Sequence, residues 1–179
     1  MTQLIVALDL PSSYDARLLA QRLSREAGVS WFKVGPGNLL DQSGLSLCYW
    51  CADHANLFLD LKVYDVRDTV ERVARRAFDL GARFLTVHAT PSMLEAAMRA
   101  KPAEDYHKVI AVSRLTDAKT GNIVTPASDL ADGIVCSVQD ARHLCSDANR
   151  YFDGQTMLMP GLYPGIVICP GIRPGIRGV

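Results

Sequence analysis

Short apolar runs alternate with amphipathic stretches along the chain. The runs are rich in β-branched and aromatic residues and are bounded by Gly, Pro, Asp and Ser, which is typical of buried strands. The predicted strands are Leu4–Leu10, Trp31–Val34, Leu57–Val63, Phe84–His88, Lys108–Val112, Gly133–Cys136 and Ile166–Cys169.

The stretches between these strands carry apolar residues at helical spacing. Leu18, Leu19 and Leu23 form one stripe, which Gly28 is placed to end. Further helices are predicted over Asn38–Ala55 with a break at Gly44, from Val66 until Gly81 closes the helix, from Thr90-Pro91 and from Ser137 to Ala148. The predicted apolar face of the helix after the third strand comprises Val66, Val70, Val73, Ala74, Ala77 and Phe78.

Repeated strand–helix units predict parallel strands, since each helical crossover returns the chain to the same end of the sheet. A closed barrel and an open, doubly wound sheet both satisfy this pattern. Asp9-Leu10-Pro11 follows the first strand, where a nucleotide-binding sheet would carry glycines, so the barrel is favoured. We therefore predict one α/β domain over residues 1–179, a (β/α) TIM-type barrel.

Composition and charge narrow the range of partners. The net charge of zero provides no global field that would attract nucleic acid or an anionic membrane. The first residues lead directly into a strand without a leader pattern, and no apolar run reaches membrane-spanning length, so a cytoplasmic location is expected. Cys48 and Cys51 form a C-x-x-C pair without a second pair or a suitable His, which favours buried free thiols over a zinc or redox site.

Polar residues gather at the predicted strand ends. Asp9 ends the first strand, Lys33 lies in the second, Asp60 and Lys62 lie in the third, and His88 ends the fourth. The carboxyl ends of barrel strands form the active-site face, and residues two apart in a strand share a face. Buried ion pairs would be the structural alternative, but burying several charges is costly and apolar packing is often as stable. The cluster therefore indicates chemistry, whereas His88 alone is more typical of a hydrogen-bonded core residue.

Five motifs occur in an order that resembles the orotidine 5′-phosphate decarboxylases. They are Ile5–Asp9, Phe32–Gly35, Asp60-Leu61-Lys62 with Asp65, Val87–Ala89 and Pro170–Pro174. The Asp-x-Lys-x-x-Asp element is shared with the wider superfamily, which includes 3-keto-gulonate-phosphate decarboxylases and hexulose-phosphate synthases. The second and fifth motifs resemble the orotidylate branch.

The resemblance implies a carboxy-lyase of pyrimidine (UMP) biosynthesis. It would convert orotidine 5′-monophosphate to uridine 5′-monophosphate without metal or organic cofactor, as a homodimer with shared active sites. Lys62 would be the general acid that protonates the ring carbon losing carbon dioxide. The catalytic residues implied are Lys62, Asp60, Lys33 and Asp65, and the substrate-binding residues implied are Asp9, Thr69, Thr116 and Arg173. Asp65 and Thr69 would reach into the neighbouring subunit's site.

The chain departs from the family pattern at three places. Family members continue beyond Pro170–Pro174 into a phosphate-gripping loop and an eighth strand, so the barrel is expected to be C-terminally short, with that strand missing or replaced, and the phosphate grip to be weak. Within segment 151–165, residues Thr156–Gly161 resemble a strand that Ile166–Pro170 then repeats. Asp117 stands where the family carries a hydroxyl residue near the pyrimidine.

Two alternative functions remain open at this point. One is a metal-dependent sugar-phosphate decarboxylase or lyase of the same superfamily, which would want a further acidic ligand near Asp60, where the second strand here carries Lys33. The other is a catalytically impaired relative that acts as a binding protein.

Overall fold

A computed structural model describes residues 4–104, 106–112, 130–137, 157–159 and 166–170. Its strands are β1 (Val6–Ala7), β2 (Trp31–Val34), β3 (Asn56–Val63), β4 (Ala82–His88), β5 (Lys108–Val112), β6 (Gly133–Ser137), β7 (Met157–Met159) and β8 (Ile166–Pro170). Its helices are α1 (Ser13–Ala27), α2 (Pro36–Leu39), α3 (Gly44–His54), α4 (Arg67–Asp79) and α5 (Pro91–Ala100). The helix predicted from Ser137 to Ala148 falls on residues outside the described ranges.

The first six strands form a parallel sheet in sequence order, and β8 and then β7 extend it beyond β6. The six parallel strands with their covering helices form a curled half-barrel sheet. The prediction of a TIM-type α/β barrel whose C-terminal part is altered is therefore confirmed.

The C-terminal strands correct one prediction. The strand predicted at 166–169 exists as β8, but it pairs antiparallel with β6 and with β7 instead of parallel. Only residues 160–165 separate β7 from β8. A connection this short suits a hairpin, whereas a parallel crossover needs a dozen residues or more. Thr156–Gly161 thus contributes a strand, over Met157–Met159, at the end of the described sheet.

The side chains of β1 to β6 alternate between two apolar environments. One face packs under the helices, as Phe32, Leu59 and Leu85 do. The other face points into the barrel, where a second cluster combines Ile5, which directly precedes β1, with one inward residue from each of β2 to β6: Trp31, Phe58, Phe84, Ile110 and Val135. These residues form an apolar floor. The inward positions two residues further along β2 and β3 are Lys33 and Asp60, so the polar residues stand one layer above that floor.

Glycines end one helix and separate two others, as predicted. Gly28 caps α1 in the left-handed region, with φ at 65°, and its backbone N–H donates to the carbonyl of Leu23. Gly44 begins α3 after α2 has ended, and a Cβ there would collide with the carbonyl oxygens of Asn38 and Leu39. The predicted break in the second helical segment follows from this close approach.

Two positions of the predicted helix stripes are exposed. Leu18 on α1 is 44% exposed, because Ser13, Ala16 and Ala20 form the buried side of that helix. Val66 is 70% exposed because it is the N-cap of α4 and lies outside the helical periodicity. No helix in the described part of the chain is long and apolar enough to cross a membrane.

Candidate active site

Four charged side chains of alternating sign meet at the carboxyl ends of β1, β2 and β3. The Lys33 ammonium lies 2.9 Å from Asp60 Oδ2 and 3.7 Å from Asp9 Oδ2. The Lys62 ammonium lies 2.8 Å from the same Oδ2 of Asp60. The order is therefore Asp9, Lys33, Asp60, Lys62, which brings together the four strand-end charges that the sequence singled out.

Burial increases toward the middle of this series. The side chains of Lys33 and Asp60 are 9% and 5% exposed, whereas those of Asp9 and Lys62 are 51% and 35% exposed. The two outer charges therefore border the solvent, where a ligand would arrive, while the two inner charges are fixed by each other.

The Asp60 carboxyl stays ionised despite its burial. Desolvation alone would raise the pKa of Asp60, but attraction to Lys33 and Lys62, together with the hydrogen bonds they donate, outweighs it and holds the pKa below its usual value. Its second oxygen, Oδ1, accepts a 3.0 Å hydrogen bond from the buried hydroxyl of Thr86. Both oxygens of this carboxylate are thereby satisfied.

Lys62 has an unusual backbone conformation. Its φ is 46°, the one positive value among the described non-glycine residues. The β3–β4 register shifts between Leu59 and Val63, so that Asp60, Leu61 and Lys62 stand opposite Thr86 alone. Bulges of this kind re-aim side chains and occur frequently beside active sites. The bulge leaves Leu61 packed against the core under the helices.

His88 borders the cluster at the end of β4. Its ring lies edge-on to Tyr64, with the ring centroids 5.1 Å apart. Partial burial and the positive charge of Lys62 lower the pKa of His88. Both effects favour the neutral imidazole.

Asp65 and Thr69 do not join the cluster within this chain. Asp65 is exposed and accepts a 2.7 Å hydrogen bond from the backbone N–H of Val66. Thr69 lies in the first turn of α4, where its hydroxyl is 3.5 Å from an Arg72 nitrogen. The other two predicted substrate-binding residues, Thr116 and Arg173, lie outside the described residues, as does Asp117.

Sequence reasoning did not single out Thr86, although a usable signal was present. Phe84, Thr86 and His88 alternate along β4, and Phe84 belongs to the apolar floor. The same alternation places Thr86 in the layer of Lys33 and Asp60, where a hydroxyl between the apolar Leu85 and Val87 is notable.

A metal site finds little support in these residues. Within the described ranges, no group of three or more His, Cys, Asp or Glu side chains is arranged to hold a metal ion. The acidic residue that a metal-dependent relative would use beside Asp60 is replaced by the Lys33 ammonium, which repels a cation.

Comparison with known proteins places these observations in one family. A model described as the orotidine 5′-phosphate decarboxylase / HUMPS family matches residues 2–177. Orotidine 5′-phosphate decarboxylase of Caulobacter vibrioides is 34% identical over 193 residues, covering 96% of this chain and 76% of the relative. That of Methylorubrum extorquens is 36% identical over 190 residues, with 96% and 74% covered. The crystal structure of orotidine 5′-phosphate decarboxylase from Lactobacillus acidophilus matches with a TM-score of 0.66 at 25% identity, covering 90% of this chain and 81% of that one.

Proposed function

This chain belongs to the orotidine 5′-phosphate decarboxylase / HUMPS family, and we propose that it catalyses the decarboxylation of orotidine 5′-monophosphate to uridine 5′-monophosphate in pyrimidine biosynthesis. The observation that carries this proposal is the alternating series of Asp9, Lys33, Asp60 and Lys62 at the carboxyl ends of parallel strands. The relatives named for this activity are similar over nearly the whole chain.

Lys62 is assigned the central chemical role. When the bond between the pyrimidine ring and the carboxylate breaks, carbon dioxide leaves and the electron pair remains on a ring carbon that resonance stabilises poorly. An ammonium already fixed beside that carbon stabilises the charge as it develops, without reorganisation. The same ammonium then donates a proton to the carbon, and Lys62 recovers a proton from solvent.

Asp60 and Lys33 hold that ammonium in position. Asp60 Oδ2 accepts hydrogen bonds from both lysines, so the Lys62 side chain is directed by a carboxylate that is itself anchored by the buried Lys33. Asp60 also presents negative charge toward the place where the substrate carboxylate would sit, and loss of carbon dioxide relieves that repulsion. This charge arrangement supplies the chemistry without a metal ion or organic cofactor.

The assay of the purified chain is direct. We expect the purified chain to convert orotidine 5′-monophosphate to uridine 5′-monophosphate. Chromatography of the two nucleotides measures the conversion. The Lys62→Ala variant should lose at least ~10⁴-fold in kcat, because it lacks both the stabilising charge and the proton donor. Arg22→Ala is the matched control, since Arg22 is an exposed cation on α1 that pairs with Glu26 of the same helix.

The outcomes separate the proposal from its alternatives. Turnover in the parent chain and in Arg22→Ala, but not in Lys62→Ala, supports it, and absence of turnover in the parent chain overturns it. Rates unchanged by a chelator exclude the metal-dependent lyase. The ring oxyanion of 6-hydroxyuridine 5′-monophosphate resembles the carbanion that forms when carbon dioxide leaves. Tight binding of this compound indicates a working site and excludes a catalytically impaired relative that acts as a binding protein.

We further propose a homodimer with shared active sites. Tyr64 and Val66, on either side of the exposed Asp65, are 71% and 70% exposed. A groove of about 730 Å³ runs between α3 and α4. Its lining includes Leu40, Leu45, Tyr49, Leu61, Thr69 and Val73. Contiguous exposed apolar surface of this kind is typical of an interface, and covering it with a second copy would carry Asp65 and Thr69 toward that copy's cluster.

Mixing two inactive variants tests the shared site. Lys62→Ala damages a subunit's own site, whereas Asp65→Ala would damage its partner's. A mixed dimer then has one site with both lesions and one intact site, so re-equilibrated mixtures should recover about a quarter of the parent activity. Recovery of no activity by a mixture that sedimentation shows to be dimeric would contradict the sharing, and a monomer would contradict the dimer.

The remaining assignments follow the same proposal. Asp9 would bind the base and ribose end of the nucleotide, and Thr116 and Arg173 would contribute further contacts to it. We propose the cytoplasm as the location, since substrate and product are charged nucleotides that do not cross a bilayer unaided. Fractionation of cells with an antibody to this chain tests that location.

A further inference from the structure

The hydroxyl of Thr86 connects the backbone of Lys62 to the carboxylate of Asp60. Thr86 Oγ1 accepts a 2.8 Å hydrogen bond from the backbone N–H of Lys62 and donates a 3.0 Å hydrogen bond to Asp60 Oδ1. Thr86 is fully buried, so no solvent competes for its hydroxyl. One oxygen atom therefore contacts both residues that the proposed reaction uses most directly.

This contact lies at the point where β3 leaves regular pairing. Asp60, Leu61 and Lys62 face Thr86 alone across the β3–β4 ladder, and Lys62 has a φ of 46°. A lysine rarely adopts that conformation, because the Cβ crowds its own backbone. Such a conformation persists when neighbouring groups hold it. The N–H of Lys62 is bound here by a side chain, and so the Thr86 hydroxyl stabilises the bulge.

The direction of the two hydrogen bonds also fixes the carboxylate. A hydroxyl has one proton, and the Thr86 proton is committed to Asp60 Oδ1 because the oxygen accepts from Lys62. Oδ2 is left to accept from both Lys33 and Lys62. Rotation of the Asp60 carboxylate would break at least one of these bonds, so the hydroxyl orients the group that directs the Lys62 ammonium.

We propose that Thr86 is a positioning residue for the decarboxylation, holding Lys62 in the β3 bulge and Asp60 in its observed rotation. This inference rests on the proposed function, because the two residues it positions are those of the proposed reaction. Valine has nearly the same shape as threonine and differs from it in lacking the hydroxyl that makes both hydrogen bonds. The hydroxyl is the distinguishing feature.

The experiment compares Thr86→Val, which removes the hydroxyl, with Thr86→Ser, which keeps it. We expect Thr86→Val to lower kcat by roughly 100-fold and to change KM by less than about threefold. A misplacement of a reacting group by about 1 Å can reduce the rate by this factor. Thr86→Ser should remain within about threefold of the parent kcat. A thermal unfolding scan of each variant establishes that it is folded at the assay temperature.

Amide hydrogen exchange of Lys62, measured by NMR, gives a readout independent of activity. The Lys62 N–H should exchange at least about tenfold faster in Thr86→Val than in the parent chain, and at nearly the parent rate in Thr86→Ser. If Thr86→Val does not fold, Thr86→Ala takes its place and should show the same losses.

Each result decides the inference. A folded variant without the hydroxyl that keeps kcat within threefold overturns it, and so does a rise in KM alone or an unchanged Lys62 exchange rate. If the parent chain does not turn over orotidine 5′-monophosphate, the proposed function fails. The exchange rates in the same variants then still decide whether the Thr86 hydroxyl holds the bulge.

Discussion

Lys33 donates a 2.9 Å hydrogen bond to Asp60 although both side chains are almost excluded from water. Each charge is tolerated because the other is present, and Asp60 then attracts a second lysine, Lys62, to the same oxygen. The buried pair thus serves as a fixed support for the more exposed ammonium. The stability of the fold and the proposed chemistry of the site therefore both depend on the Asp60 carboxylate.

Replacing Asp60 with Asn should destabilise the fold as well as abolish activity. The substitution leaves the Lys33 ammonium buried beside a neutral amide, and breaking a buried pair in this way costs about 3–5 kcal/mol in the free energy of unfolding. Urea denaturation at neutral pH measures the difference. Asp53→Asn is the control, because Asp53 is exposed on α3 and its replacement should change stability by about 0.5 kcal/mol or less. An Asp60→Asn variant as stable as the parent would contradict the account of the pair.

The same carboxylate should shape the stability at acid pH. The pKa of Asp60 is lower in the folded chain than its ordinary value of 3.8, so in acid the unfolded state binds its proton first. The stabilisation it provides is complete above that value and is lost as pH falls below about 4 toward the folded pKa. We expect the unfolding free energy to decline more steeply with falling pH in the parent chain than in Asp60→Asn. Equal slopes in urea titrations across this window would show that the pKa is not lowered.

Much of the barrel was predictable from the sequence because buried parallel strands have a simple signature. Trp31–Val34 and Lys108–Val112 are apolar, short and bounded by turn residues, and both predicted ranges equal the observed strands. The placement of Asp9, Lys33, Asp60 and Lys62 together followed from the rule that parallel strands end at one edge. Periodicity and topology therefore sufficed for the scaffold of the site.

The remaining features depend on contacts between distant residues. The backbone N–H of Lys62, in the bulge of β3, is bound by Thr86 of β4, which lies 24 residues further along the chain. The spacing of residues within β3 indicates neither the bulge nor this hydrogen bond. The antiparallel course of β8 depends on its partner, since its apolar pattern suits either direction. Val66 continues an apolar stripe in the sequence, but the helix begins one residue later and leaves it exposed.

Cys48 and Cys51 should be inert in the folded protein. Burial raises the pKa of Cys48 to about 12, and burial together with the neighbouring Cys48 raises that of Cys51 to about 12. The thiolate is the reactive form, so both thiols should resist alkylation at neutral pH until the chain unfolds. Mass spectrometry after iodoacetamide treatment, with and without urea, measures this for each residue. Rapid labelling of either thiol without urea would show that α3 opens, and would revive the redox interpretation of C-x-x-C.

His88 should report the charge of Lys62. Partial burial and the Lys62 ammonium both lower the pKa of His88, and only the second contribution disappears in Lys62→Met. We therefore expect the His88 pKa to move upward in that variant, as followed by the chemical shift of its imidazole carbon-bound protons during a pH titration. The matched control is Arg22→Ala, which removes an exposed cation from α1 and should leave the titration of His88 unchanged. A downward movement, or an equal movement in both variants, would mean that the Lys62 ammonium does not face the His88 ring, and the orientation assigned to the proton donor would then be wrong.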